Sequence, residues 1–252
     1  MPGDSAVKDR VAWITGGGSG IGLAGGVELA RAGAHVVISG RNPATLKEAE
    51  KQIKAAGSAE AIALDVSSKE EVAKVAARIG RVDILINSAG VNSPRRNFRN
   101  VSLDSWDEIV SINLSGMFYC VHAVLAGMRS RKDGLIINVS SWAGRYASTL
   151  TGPGYNATKS AVLALTESIN MEEGINGIRA TSVLPGEVAT PILEKRPVPP
   201  TPEVRAKMLQ ANDLGKTILF VASLPPRACI NEIIISPTHN RFYFGGLETP
   251  KS

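Results

Sequence analysis

The sequence predicts one doubly wound α/β domain spanning residues 1–252, a parallel sheet of about seven strands with helices on both faces. Three observations carry this. Short runs that are apolar at nearly every position alternate with helix-length segments, as strands buried on both faces require. A glycine-rich turn joins the first such run to the first helix. The chain has 252 residues, 44% hydrophobic and 20% charged, enough for a sizeable core without cross-links.

The elements come in chain order. Val11-Ala12-Trp13-Ile14-Thr15 reads as a buried strand. Residues 21–32 form a helix closed by Gly33, and 34–39 a second strand. A helix over 43–56 opens with Pro43 in its first turn and ends at Gly57. Strand three spans 60–65. Ser68 then caps a helix to Ile79, with Glu70 and Glu71 early in its first turn. Residues 83–87 form strand four. One long helical pattern covers 103–130, strand five covers 135–140, and a second long helix runs from Tyr155 to Glu173 with Gly174 at its end. Strand six spans 178–183, a helix 214–222, and the last strand 232–235. No linker and no repeat of 20 to 50 residues interrupts this order.

Composition narrows the function classes. The net charge of +5 has no nucleic-acid motif beside it, and its densest cluster, Pro94 to Arg99, is a short loop, so nucleic-acid binding is not expected. A milder reading of the charge is attraction of an anionic cofactor or substrate. No apolar run approaches a membrane span, and the first ten residues lack a secretory apolar core. Cys120 and Cys229 alone imply no disulfide framework. His35, His122 and His239 have no metal-ligand spacing, so no metal is expected. Cytoplasmic localisation is the resulting expectation.

Two constellations carry chemistry. Thr15-Gly16-Gly17-Gly18-Ser19-Gly20-Ile21-Gly22 lies between a strand and a helix, where glycines permit a tight turn and close approach of a pyrophosphate to free helix N–H groups. The second strand ends in Ser39-Gly40-Arg41-Asn42. An acid there would select NAD through the ribose 2′-hydroxyl, whereas Arg41 suits a 2′-phosphate, so NADP(H) is preferred over NAD(H). A solvent-facing Arg41 at the sheet edge is the alternative. Tyr155 and Lys159 stand four apart and share a helix face. A nearby ammonium lowers a phenol's pKa and equips it for proton transfer, although the same spacing also describes an ordinary surface pair.

With these pieces the chain resembles the short-chain dehydrogenase/reductase family, of Rossmann type, from about residue 10 to 237. The glycine loop at 15–22 and the pair Tyr155 and Lys159 match its motifs. Asp65-Val66 is similar to its adenine-contacting pair. Asn87-Ser88-Ala89-Gly90 is similar to its Asn-Asn-Ala-Gly motif, with Ser88 for the second Asn. Asn113 matches its catalytic Asn, Ser140-Ser141 its Ser pair, and Pro185-Gly186-Glu187-Val188-Ala189-Thr190 its segment after strand six. The resemblance implies hydride transfer between NADP(H) and a small carbonyl or alcohol: a ketone, an aldehyde or a 3-hydroxy acid. Ser141 would hold the substrate oxygen, Tyr155 would move the proton, and Lys159 would lower the Tyr155 pKa and bind the nicotinamide ribose. Asn113 would steady a water. Cofactor contacts would come from Thr15, Gly16, Gly18, Ser19, Gly20, Ile21, Gly22, Arg41, Asp65, Val66, Asn87, Ala89, Gly90, Tyr155, Lys159, Pro185, Gly186, Val188 and Thr190. A homotetramer or homodimer is implied by the long helices.

Three departures from the family pattern stand out. The interval from Ser141 to Tyr155 is one residue longer than usual, which places Trp142 at the usual spacing. The extra residue is assigned to 145–154, leaving Ser141 ahead of Ser140. Gly25 and Gly26 sit inside the first helix at a cost of about 1 kcal/mol each relative to Ala. The last strand lacks a Gly-rich ending. Residues 187–210, rich in proline, should roof the substrate site as a lid. Lys195, Arg196, Arg95 and Arg96 either attract an anionic substrate or are solvated surface charges. Singly, Ser141 also reads as a strand-end cap and Asn113 as a kink partner inside a helix. The rival function is a non-catalytic, NADP-binding regulatory protein on the same fold.

Overall fold

The computed structural model describes residues 6–240 and 243. Seven strands, β1 (Val11–Thr15), β2 (His35–Gly40), β3 (Ser58–Ala63), β4 (Ile84–Asn87), β5 (Gly134–Val139), β6 (Ile178–Pro185) and β9 (Glu232–Ile235), form one sheet ordered β3-β2-β1-β4-β5-β6-β9. Every pairing in it is parallel. The order reverses between β1 and β4, which opens a crevice at the carboxyl ends of those strands.

Alternation along each strand feeds two cores. Ala12, Ile14, Val36, Ile38, Ile84 and Ile86 pack on one face with α1 (Gly20–Arg31), α2 (Pro43–Lys54) and α9 (Ala211–Ala222). Trp13, Val37, Leu85 and Ile136 pack on the other with α3 (Lys69–Ile79), α5 (Gly116–Arg131) and α7 (Pro153–Glu173). Full burial of one such side chain is worth about 1.5–3 kcal/mol, so runs apolar at every position are favourable only between two helical layers.

The glycines inside α1 now have a cause. A Cβ on Gly25 would lie 2.9 Å from Ile218 Cδ1 of α9, and one on Gly215 would lie 2.7 Å from the Ala24 carbonyl oxygen. One on Gly26 would lie 2.8 Å from Ile53 Cδ1 of α2. These glycines let α1 sit close to both neighbours, and that packing offsets their poor helix propensity.

The helix expected over 103–130 is three pieces. α4 (Leu103–Val110) passes through a π turn at Ser111–Ser115 into α5. By length and composition, Leu103–Arg131 is apolar enough to cross a membrane, contrary to the sequence reading. Its apolar residues Ile109, Ile112, Val121, Val124 and Met128 instead lie within one of the two cores.

The proline-rich 187–210 stretch is more regular than expected. β7 (Val188–Ala189) pairs in parallel with β8 (Leu209–Gln210), which ties its two ends together. Between them lie a 3₁₀ turn, Pro191–Lys195, and the short helix α8 (Pro202–Ala206). In both, proline occupies the first turn, where its missing N–H costs nothing, so it starts these helices and does not block them. A one-turn helix α6 (Trp142–Arg145), also unforeseen, succeeds β5.

Candidate active site

The crevice at the strand ends holds a cleft of about 290 Å³. One end is made of backbone. Gly16 (φ 68°) and Gly20 (φ 54°) adopt left-handed conformations that favour glycine. A Cβ on Gly16 would lie 2.7 Å from the Ala89 nitrogen, and one on Gly22 would lie 2.5 Å from the Gly16 oxygen. Ser19 occupies the N-cap of α1 without making a side-chain cap bond, and the first turn of α1 has no acid. By contrast, α2, α3 and α4 are capped by the side chains of Asn42, Ser68 and Ser102. The N–H groups that open α1 are therefore left to a ligand, and the helix dipole favours an anion there.

Gly16, Ser19, Gly20, Ile21, Ala89, Gly90, Pro185, Gly186, Val188 and Thr190 all line the cleft, together with Tyr155, Lys159 and Ser141. Other predicted contacts lie outside that lining. Thr15 is buried behind it, its Oγ1 accepting from the Ala89 N–H at 3.4 Å. Gly18 faces α2, where a Cβ would lie 3.3 Å from Thr45 Cγ2. Arg41, at the carboxyl end of β2, is half exposed and only loosely paired with Glu108, 3.8 Å away. Asp65 accepts from the Ser67 N–H at 3.0 Å and its hydroxyl at 2.7 Å, and Val66 is buried against Gly116. Asn87 is the clearest displacement. Its side chain turns into the sheet, donating to Asn138 Oδ1 at 3.0 Å, and Ser88 lines the cleft at this point.

The other end is made of side chains. Ser141 starts α6, its Oγ accepting from the Ala143 N–H at 3.1 Å and lying close enough to Tyr155 to pull the phenol's pKa down. Ser140 is occupied, donating to the Lys159 carbonyl at 2.7 Å. The loop between α6 and α7 sets the path from Ser141 to Tyr155. There Ser148, Thr151 and Asn156 form their own hydrogen bonds, among them Asn156 Nδ2 to the Ser148 carbonyl at 3.0 Å. Thr151 Oγ1 also lies 2.5 Å from Asn156 Oδ1.

On α7, Lys159 Nζ lies 5.6 Å from the centre of the Tyr155 ring and donates to the Val139 carbonyl at 2.8 Å. Burial pushes its pKa down to about 8. Burial also raises the pKa of Tyr155, opposed by the hydrogen bond from Ser141 and the positive charges of Arg196 and Arg96. Lys159 was expected to lower the phenol's pKa. Here the guanidiniums and Ser141 supply the downward pull, and desolvation outweighs them.

Asn113 lies inside the π turn and is fully buried. Its Oδ1 accepts from the Val91 N–H at 2.8 Å, and its Nδ2 donates to the Val91 carbonyl at 3.0 Å. Both amide atoms thus hold Val91, and Nδ2 also lies 3.4 Å from Thr158 Oγ1. π turns often occur at functional sites, and this one sits beside Gly90, where a Cβ would be 3.5 Å from both Asn113 Oδ1 and Lys159 Nζ. The sequence reading missed Asn92, Trp142 and Leu150 as lining residues, and left Arg96 and Arg196 between attraction of an anionic substrate and solvated surface charge. A basic cluster was visible around Arg96, but nothing local marked it as buried.

Comparison with known proteins agrees with this geometry. Residues 10–199 match the family model described as short chain dehydrogenase. An uncharacterised oxidoreductase of Staphylococcus epidermidis is 32% identical over 235 residues, 92% of this chain and 98% of that protein. One from Staphylococcus aureus is 34% identical over 237 residues, covering 92% and 99%. Among solved structures, a metagenomic short-chain oxidoreductase in complex with NADP superposes with a TM-score of 0.80 at 29% identity, covering 93% of this chain and 99% of that one. The closed form of a serine dehydrogenase complexed with NADP⁺ gives a TM-score of 0.81 at 25% identity, covering 90% and 95%. A parallel sheet with its crevice at the β1–β4 reversal, matched almost end to end by such relatives, places this chain in the short-chain dehydrogenase family as an NAD(P)-dependent oxidoreductase of small molecules.

Proposed function

We propose that the protein transfers hydride between NADP(H) and a small carbonyl or alcohol, with Tyr155 as the general acid or base. The observation that carries this is that Ser141, Tyr155 and Lys159 line the same cleft as the open N-terminus of α1. The residues present fit a dinucleotide: the left-handed glycines leave no Cβ in the loop, and no side chain caps α1. Backbone groups of Gly16, Ser19, Gly20 and Ile21 would hold its phosphates, with Asp65 and Val66 near the adenine. Ala89, Gly90, Lys159, Pro185, Gly186, Val188 and Thr190 would hold its nicotinamide half. The end of β2 carries Arg41 and no acid of its own, and Arg41 pairs only loosely with Glu108, which favours a 2′-phosphate and hence NADP. When bound, the nicotinamide supplies or accepts the hydride at the substrate carbon.

Ser141 holds the substrate oxygen by a hydrogen bond. Tyr155 gives its proton to that oxygen in reduction, or takes it in oxidation. The same proton serves both directions, given up as acid in reduction and taken back as base in oxidation. Asn113 acts as a positioning residue, fixing Val91 and the adjacent Gly90 against Lys159. Residues 187–210 roof the substrate side as part of the same single domain. Exposed Leu103, Trp106 and Phe118 on α4 and α5 support a homo-oligomer.

Tyr155→Phe should lower turnover of small ketones and aldehydes by about 10²–10⁴-fold while leaving NADPH binding, read from its fluorescence, unchanged. Near-normal turnover would refute the role. Wild type should use NADPH more efficiently than NADH, and Arg41→Ala should remove about ten- to hundredfold of that preference, the worth of one charged hydrogen bond. Equal efficiency with both cofactors in wild type rules out the preference.

A further inference from the structure

The substrate end of the cleft is unusually cationic for a buried surface. Among its described lining residues are three cations, Arg96, Lys159 and Arg196, and a single carboxylate, Glu187. Arg96 is 9% exposed, and the Arg196 and Glu187 side chains are 14% and 9% exposed. Arginine is rarely buried this far, because desolvating a guanidinium costs several kcal/mol unless something is gained. Arg196 is held by Glu187 at 2.8 Å. Arg96 Nη1 donates to the Leu150 carbonyl at 3.4 Å, one of the contacts that hold this side chain.

The position of Arg96 is built into the fold. Gly152 (φ 78°) passes so close to the Arg96 carbonyl that a Cβ there would collide with it. Asn92 Nδ2 donates to the Thr151 carbonyl at 3.0 Å. Segments 92–96 and 150–152 are thus joined side by side, and the second of them belongs to the loop that leads from α6 to Tyr155. Both guanidiniums act on the phenol, since their charges oppose the effect of burial on it. Trp142, Leu150, Ile192 and Leu193 give this end an apolar stretch of wall, beside the polar Asn92, Ser148 and Thr151.

We infer that Arg96, supported by Arg196, is the anion-recognition element of the substrate site, and that the substrate is a small hydroxy or oxo acid whose carboxylate lies close to the reacting carbon. The planar fork of an arginine matches a carboxylate in a way that a solvated lysine does not. The short apolar wall accommodates an aliphatic remainder. Of the four cations noted in the sequence, Arg95 is exposed and the Lys195 side chain lies outside the described residues, whereas Arg96 and Arg196 leave the solvated-surface reading behind.

This inference rests on the oxidoreductase reading for the place of the carbonyl, but its test reads binding and not turnover. A series of 2- and 3-hydroxy acids of increasing chain length, each beside its neutral amide, is titrated calorimetrically into the NADP-loaded protein. Wild type should bind at least one acid about tenfold or more tighter than its amide. Arg96→Gln should erase that margin without changing amide or NADP affinity. Arg96→Lys should restore part of it, and Arg95→Gln should leave it intact. Equal affinity for every acid and its amide, no measurable binding of any pair, or a margin that survives Arg96→Gln overturns the inference. Acid-selective binding without turnover of acid or carbonyl probes would sustain it while refuting the reductase reading.

Discussion

The two ends of the cleft are built from opposite materials. At the β1–α1 end the groups on offer are backbone N–H donors, open because side chains are missing: no Cβ at Gly16, Gly20 or Gly22, and no cap from Ser19. At the α6–α7 end they are side chains, Ser141, Tyr155, Lys159, Arg96 and Arg196, held in place by burial and by one another. A backbone site needs only local conformation. A side-chain site needs distant segments to arrive together, and here it carries desolvated charge as a consequence.

The contrast can be broken at either end. The largest expected effect is at Lys159. The unfolded chain keeps this proton up to about 10.5, while burial makes the folded protein release it near 8. The unfolded state then binds more protons between those values, so stability rises with pH across that window. Against Lys159→Met, which has no such proton, denaturant titrations should show wild type gaining up to about 3 kcal/mol from pH 8 to 10.5. A flat difference would mean the ammonium is better solvated than its burial implies.

Gly22→Val should weaken NADPH binding by about ten- to hundredfold, because a side chain forced against the Gly16 carbonyl costs about 1–3 kcal/mol at the loop itself. Unchanged affinity in that variant would show that the loop tolerates side chains and would blur the contrast. The smallest effects compare helix starts. Asn42→Ala, which loses cap bonds to the Ala44 and Thr45 N–H groups, should cost about 1 kcal/mol in thermal or denaturant unfolding. Ser19→Ala should cost almost nothing in stability, since no cap bond is lost. Equal losses would mean that α1 is capped after all.

The same division explains what the sequence made legible. The strands and most helices could be read because a strand apolar on both faces and a glycine or proline at a helix end are local signals. β3 slipped by two residues because its register is set by β2, where Ser58 lies opposite His35. The glycine loop was readable for the same local reason, and so was the Tyr155–Lys159 face of α7. Ser141 was ambiguous because the loop after it sets its distance to Tyr155, and loop paths are not written in composition. The burial of Arg96 was invisible, because it depends on Gly152, 56 positions away in the chain. The expectation for Lys159 failed for a related reason: charge proximity was legible, but the desolvation that dominates both pKa values belongs to the packed whole.

The π turn at Ser111–Ser115 has one more consequence. A helix advances about 100° per residue, so a single wider turn puts α5 out of phase with α4. Both helices still reach the same core, with Ile109 and Ile112 up to the slip and Val121, Val124 and Met128 beyond it. Removing one residue from 111–115 would bring the two halves back into step as an ordinary helix and swing Asn113 away from Val91. The irregularity that makes the helix a poor wave is what aims a buried amide at the wall of the cleft.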